Sequence, residues 1–146
     1  VKSKNKLVRY TIPETLLRAD ENFLALMVEA EKYIGYPYVY GGSKPSTGFD
    51  CSGFVCWVFR QSGVYDTGRL GAKGLYSLCT DVSRDEARPG DLVFFTKTMG
   101  ADVKGITHVG IYVGNGMMIH CGNPISYASI ETNYWRQHYY CMGRIR

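Results

Sequence analysis

The chemistry this sequence offers most directly is a thiol paired with imidazole bases. Cys51 stands in Phe49-Asp50-Cys51-Ser52-Gly53-Phe54, directly after a Gly-rich stretch and at the start of an expected helix. A thiol must become a thiolate to act as a nucleophile. Its ordinary pKa of ~8.5 falls at a helix N-terminus or beside an imidazolium. The positive end of the helix dipole under Cys51 would favour the anion. Gly53 would let another backbone or a substrate come close. A lone cysteine at a helix start is more often a core residue; the histidines further on distinguish this one.

The histidines are His108, His120 and His138. In Thr107-His108-Val109-Gly110-Ile111-Tyr112-Val113, alternation puts Val109, Ile111 and Val113 on one strand face and His108 on the other. His120 follows the turn Gly114-Asn115-Gly116. A plain two-residue turn would leave the two imidazoles on opposite faces. A three-residue loop with Gly116 left-handed pairs Gly110 with His120 and makes His108 and His120 diagonal neighbours. Cys51 is then the nucleophile, His108 its general base, and His120 the group that fixes the His108 tautomer. His138, beside Gln137, reads as a surface residue. The competing arrangement is a metal site of Cys51, His108, His120 and Cys121, against which the missing short-spaced ligand pair counts.

These residues need a scaffold, and the sequence outlines one. Ile12-Pro13-Glu14 starts a short helix. Asp20 caps a second helix over about 21–34, with Phe23, Leu24, Met27, Val28, Ala30 and Tyr33 as its buried stripe and Gly35 as its stop. Residues 36–48 read as a loop. A third helix covers 51–61 and stops at Ser62-Gly63; 70–79 is ambiguous. From residue 88 the pattern turns to strands: 92–95, 108–113, 117–121 and 139–145. Helices first and strands later predict an α+β domain. Residues 1–20 read as a basic arm with a short helix, and 21–146 as the domain.

Bulk properties bound the partners. The 146 residues carry a net charge of +4, much of it from Lys2, Lys4, Lys6 and Arg9. That balance suits an anionic surface such as a cell wall. No basic helix with interleaved aromatics argues for nucleic acid, and no apolar run approaches the ~20 residues of a membrane span. Five cysteines leave at least one free thiol, and no C-x-x-C pair suggests a zinc ribbon.

Four strings in order and register carry a resemblance: Tyr38-Val39-Tyr40-Gly41-Gly42, the Cys51 run, Pro89-Gly90-Asp91-Leu92-Val93-Phe94-Phe95, and His108-Val109-Gly110-Ile111-Tyr112. Together they resemble the NlpC-type cell-wall cysteine peptidases over about 25–145. The resemblance implies a small papain-like fold with N-terminal helices on a mostly antiparallel sheet. It implies a Cys51-His108-His120 triad, no cofactor, and peptidoglycan stem peptides as substrate, cut between γ-D-glutamate and the diamino acid (diaminopimelate or Lys). It implies Tyr38 as an oxyanion donor, Tyr40 lining the cleft, and Asp50 and Ser52 on the glutamate side; Asp50 could equally cap the helix. Members that need a free N-terminal L-Ala carry an acidic residue and a Ser where this chain has Arg69-Leu70-Gly71-Ala72, so an endopeptidase on intact stems is favoured. A thiol amidase or acyltransferase, or a catalytically idle wall-binding module, are the alternatives. The chain also resembles the C-terminal half of CwlT-type wall hydrolases of conjugative elements. That likeness implies an upstream lysozyme-like domain and a secreted or wall-associated location. The absent initiator Met and the basic arm fit an excised domain.

Overall fold

The computed structural model describes residues 9–100 and 102–146; Lys2, Lys4 and Lys6 of the expected arm lie outside them. Helices α1 (Glu14–Arg18), α2 (Glu21–Ala30) and α3 (Cys51–Gln61) come first, with a ribbon of β1 (Ser43–Lys44) and β2 (Gly48–Phe49) before α3. Then come α4 (Ala72–Ser77), β3 (Cys79–Val82), β4 (Leu92–Thr96), β5 (Ile106–Gly114), β6 (Met117–Cys121), β7 (Ile125–Ser129), α5 (Asn133–His138) and β8 (Tyr139–Ile145). The six long strands form one sheet in the order β3-β8-β4-β5-β6-β7. Every neighbouring pair in it is antiparallel. The architecture is therefore α+β. No described helix is long and apolar enough to cross a membrane.

Alternation along the strands feeds two apolar layers. Phe94, Val109, Ile111 and Ile119 join the core that contains α2 and α3. Val93, Phe95, Met118 and Met142 form a smaller cluster with Trp135 and Tyr139. Tyr10, Ile12, Leu16 and Leu17 pack against the larger core, so residues 10–17 are tied to the domain.

Helix α2 corrects two expected core positions. Phe23, Leu26, Met27 and Ala30 are buried, whereas Leu24 and Val28 are exposed. At about 100° per residue, positions 23, 26, 27 and 30 share one face, and 24 and 28 turn away from it. The α-helix also ends at Ala30, and a 3₁₀ turn, Glu31–Tyr33, carries Tyr33 into the core. Gly35, at φ 95°, then redirects the chain as expected.

The β5–β6 hairpin reaches the expected side-chain arrangement by a different route. Gly114 pairs with Met117 around a tight Asn115-Gly116 turn, both of whose residues have positive φ. That register alone would separate the imidazoles. A bulge between Tyr112 and Gly114 shifts it by one residue, so that Tyr112 opposes Met118 and Ile111 opposes Ile119. The extra residue, Val113, brings His108 and His120 to the same side.

Candidate active site

The N-terminus of α3 is built by close backbone packing. Asp50 caps it, accepting from Gly53 N–H at 2.7 Å, and its second oxygen accepts from Gly41 N–H at 3.2 Å. Asp50 N–H donates to the Gly42 carbonyl at 2.9 Å. A Cβ on Gly53 would lie 2.0 Å from that same Gly42 oxygen. Glycine at position 53 thus lets the 38–42 loop lie directly on the first turn of the helix.

This packing sets Cys51 against the edge of β5. The β5–β6 ladder ends at Ile111 and Ile119. Beyond it, the Cys51 thiol points at the Thr107 carbonyl, 3.8 Å away, and the Val109 N–H favours its anion. The thiol therefore approaches the strand on both sides of His108. His108 Nε2 and His120 Nδ1 are 2.9 Å apart, and both residues are buried. Gly110 makes room: a Cβ there would meet Met118 Sδ at 2.8 Å and His120 Cβ at 3.1 Å.

Opposing effects act on the Cys51 thiol. Burial, first, pushes the Cys51 thiol up to about 11, and the Asp50 carboxylate pushes the same way. The N–H groups of Val109, Ser52 and Cys51 oppose this without overcoming it. Burial, and then His120, hold His108 well below the ordinary imidazole value. Burial takes His120 down to about 4. Burial thus favours the neutral forms of the thiol and of both imidazoles.

Tyr38 flanks the same space. Burial, and then the charge at Cys51, raise its phenol to about 12, so it keeps its proton at ordinary pH. A cleft of about 390 Å³ runs past Tyr38, Thr98, Met99, His108, His120 and Trp135, and among the described residues no Asp, Glu, Lys or Arg lines it. A larger concavity of about 580 Å³ lies between Leu16–Asn22 and Arg88–Pro89 and contains neither thiol nor imidazole. Chemistry, and not size, singles out the smaller cleft. Tyr40 is 81% exposed. Ser52 and Asp50 are drawn together by Arg69, whose Nη1 donates to Ser52 Oγ (3.1 Å) and Nη2 to Asp50 Oδ1 (3.1 Å) and Oδ2 (2.9 Å).

Three other expectations meet the structure here. His138 is half-buried, donating Nδ1–H to the Thr96 carbonyl at 2.8 Å, because it ends a helix packed on β4. Cys121, the fourth member of the competing metal arrangement, donates to the Phe49 carbonyl at 3.1 Å. Among the described residues no three His, Cys, Asp or Glu converge as a ligand set. All five cysteines are free thiols. Sequence reasoning missed Trp135, which stacks on His108 from the short helix α5. Thr132, a capping residue three positions before it, was the available signal.

A helix-borne thiol set against the central strand β5 beyond its ladder with β6, with an imidazole pair on that sheet, defines an α+β domain of the papain-like type. The chain belongs to the NlpC/P60 family, whose sequence profile matches residues 35–144. It is 47% identical over 122 residues to the bifunctional muramidase/DL-endopeptidase CwlT of Bacillus subtilis, covering 83% of this chain and 36% of that protein. It is 46% identical over 121 residues to the probable endopeptidase p60 of Listeria seeligeri, covering 82% of this chain and 22% of that one. Among solved structures, a lipoprotein-like NLP/P60 protein of Staphylococcus aureus superposes with a TM-score of 0.80 at 35% identity. That match covers 98% of this chain and 45% of the other. The chain thus spans roughly a third or less of these two curated relatives.

Proposed function

We propose that this domain is a cysteine endopeptidase that hydrolyses peptidoglycan stem peptides between γ-D-glutamate and the diamino acid, diaminopimelate or Lys. The observation that carries the reading is the seating of Cys51 against Thr107–Val109, beside the 2.9 Å His108–His120 contact. One relative is named a DL-endopeptidase, which supports a bond of that configuration.

In the productive tautomer His108 donates Nε2–H to His120 Nδ1, leaving the His108 Nδ1 lone pair free for the thiol proton. His108 takes that proton, and Cys51 Sγ attacks the γ-glutamyl carbonyl. The oxyanion lies between the Tyr38 hydroxyl and the Cys51 N–H, donors that act where charge develops. His108 then passes the proton to the departing amine. Water, activated by His108, hydrolyses the thioester and frees the γ-carboxylate. No cofactor is required.

Tyr40, Asp50 and Ser52 are assigned to the glutamate side of the site, next to the uncharged cleft. Arg69 bonds to both Asp50 and Ser52 there and neutralises the Asp50 carboxylate. A carboxylate engaged by Arg69 is not available to a free N-terminal ammonium, which supports action on intact stems. The peptidase unit is taken as residues 21–146, with residues 10–20 strapped to it. A lysozyme-like domain upstream, a secreted or wall-associated location and an origin in a conjugative element complete the proposal.

Mass spectrometry of digested muropeptides tests the activity. Wild-type protein should release fragments ending in γ-D-glutamate with a new amine on the diamino acid, and Cys51→Ala should release none. Equal release by Cys51→Ala would overturn the proposal, as would transfer to an amine acceptor without hydrolysis. A wall-binding module would keep its effect on cells after Cys51→Ala.

A further inference from the structure

We propose that Trp135 is a positioning residue of this site: its indole roofs the His108–His120 contact, excluding water from it and fixing the plane of the imidazole that serves Cys51. The proposal rests on the peptidase reading above.

The geometry is that of a cover. The Trp135 ring lies over His108 with centroids 5.2 Å apart and planes 25° apart. The same indole meets His120 at 5.2 Å and 86°. One ring thus contacts both members of the pair, stacking on the first and meeting the second edge-on. The two imidazoles are themselves nearly perpendicular, at 84°, so a displaced roof would free either to turn.

The indole is held from several directions. Phe95 packs on it at 4.6 Å, and Tyr134 meets it edge-on at 4.9 Å. The Thr132 hydroxyl caps α5 by accepting from the Trp135 N–H itself, at 3.5 Å. Tyr134 also contacts the His138 ring at 4.5 Å, and His138 is bonded to the Thr96 carbonyl. Helix α5 is therefore clamped at both ends around a single half-buried indole. A residue that only filled the core would not need to sit flat on a base.

Two effects of the roof oppose each other. Excluding water disfavours a charged imidazole, while an indole face attracts an imidazolium. Burial holds His108 well below the ordinary imidazole value, and the stacked indole is part of what buries it. The attraction remains available when His108 becomes charged during catalysis. The other ionisable groups around the pair are Cys121 next to His120, Cys51 from α3, Tyr38 from the loop before it, Tyr134 against Trp135, Asp50 acting on Cys51 through space, and His138 beyond Tyr134.

The test compares Trp135→Ala, Trp135→Leu and Trp135→Phe with wild type. Imidazole titrations of His108 and His120 are followed by NMR in a Cys51→Ala background, and hydrolysis of purified peptidoglycan is followed from pH 4 to 8. Trp135→Ala should raise the His108 titration toward 6.5. It should carry the acidic limb of activity up with it, a loss of about tenfold at low pH for each unit moved. Trp135→Phe should restore most of the wild-type titration. Trp135→Leu, which keeps bulk but loses the ring face that attracts an imidazolium, should lower the His108 titration further, and that shift carries the test if the alanine variant does not fold. Titrations and limbs unchanged in folded variants would overturn the proposal, even if turnover fell. Absence of wild-type hydrolysis, with titrations that still respond to position 135, would sink the peptidase reading and leave the positioning role standing.

Discussion

At the residue scale, the state of Cys51 before substrate arrives is the sharpest consequence of the site. A thiolate–imidazolium pair would react with a neutral alkylating agent at a rate nearly independent of pH. The buried thiol, raised to about 11, should instead react about tenfold faster with each pH unit between 7 and 9. Iodoacetamide labelling at Cys51, read by mass spectrometry of the peptide, checks this; a flat profile would restore the ion pair. Tyr38 gives a second test. Its phenol keeps its proton and can donate to a developing oxyanion. Tyr38→Phe should lower kcat by ~10²-fold or more with little change in melting temperature. An unchanged kcat would remove Tyr38 from the mechanism. The residue types behind both predictions were legible in the linear sequence, but the protonation state was not. Sequence displays the helix start that lowers a thiol pKa; it hides the burial and the Asp50 field that raise it.

At the element scale, everything depends on how α3 meets the sheet. Gly53→Ala places a methyl 2.0 Å from the Gly42 carbonyl, a contact with backbone that no rotamer change relieves. The helix start or the 38–42 loop must move, so Cys51 shifts relative to Tyr38. A destabilisation of about 1–3 kcal/mol is expected, together with a loss of turnover larger than global unfolding explains. Thermal melts beside kinetics separate the two, and full activity would show that the close approach is dispensable. Helix α3 was legible to its ends because its cap, Asp50, and its stop, Ser62-Gly63, are local chemistry. The β5–β6 hairpin was legible in outcome but not in route, since a bulge at Val113 has no compositional mark. Strand β7 and helix α5 span only five and six residues of mixed polarity, without the apolar runs that mark β4 and β6, and Trp135 went unnoticed with α5. The insertion of β8 between β3 and β4 is a long-range pairing that no local pattern encodes.

At the scale of the whole molecule, the imidazole pair that serves the reaction also sets the acid tolerance of the fold. His108 and His120 are both depressed below the usual 6.5 by burial, His120 to about 4. Above pH 6.5 they are neutral in folded and unfolded chains alike and contribute no pH dependence. As the pH falls below 6.5, the unfolded chain takes up protons that the folded chain refuses, so stability declines. For His120 the decline runs from 6.5 until the folded value near 4 is crossed, and for His108 it continues toward its own depressed value. Each pKa unit corresponds to 1.36 kcal/mol, so His120 alone should account for about 3 kcal/mol across that window. Glu29 acts with the same sign at lower pH. Its own burial opposes ionisation, but bonds from Tyr33 and Lys32 hold its carboxyl below the ordinary 4.5. The histidine contribution is separable by substitution. His120→Asn presents a side-chain carbonyl to the His108 N–H and does not titrate. Melting temperatures should fall between pH 7.5 and 4.5 in wild type and fall distinctly less in His120→Asn. Equal losses in the two proteins would mean that carboxylates, and not the imidazole pair, govern acid unfolding.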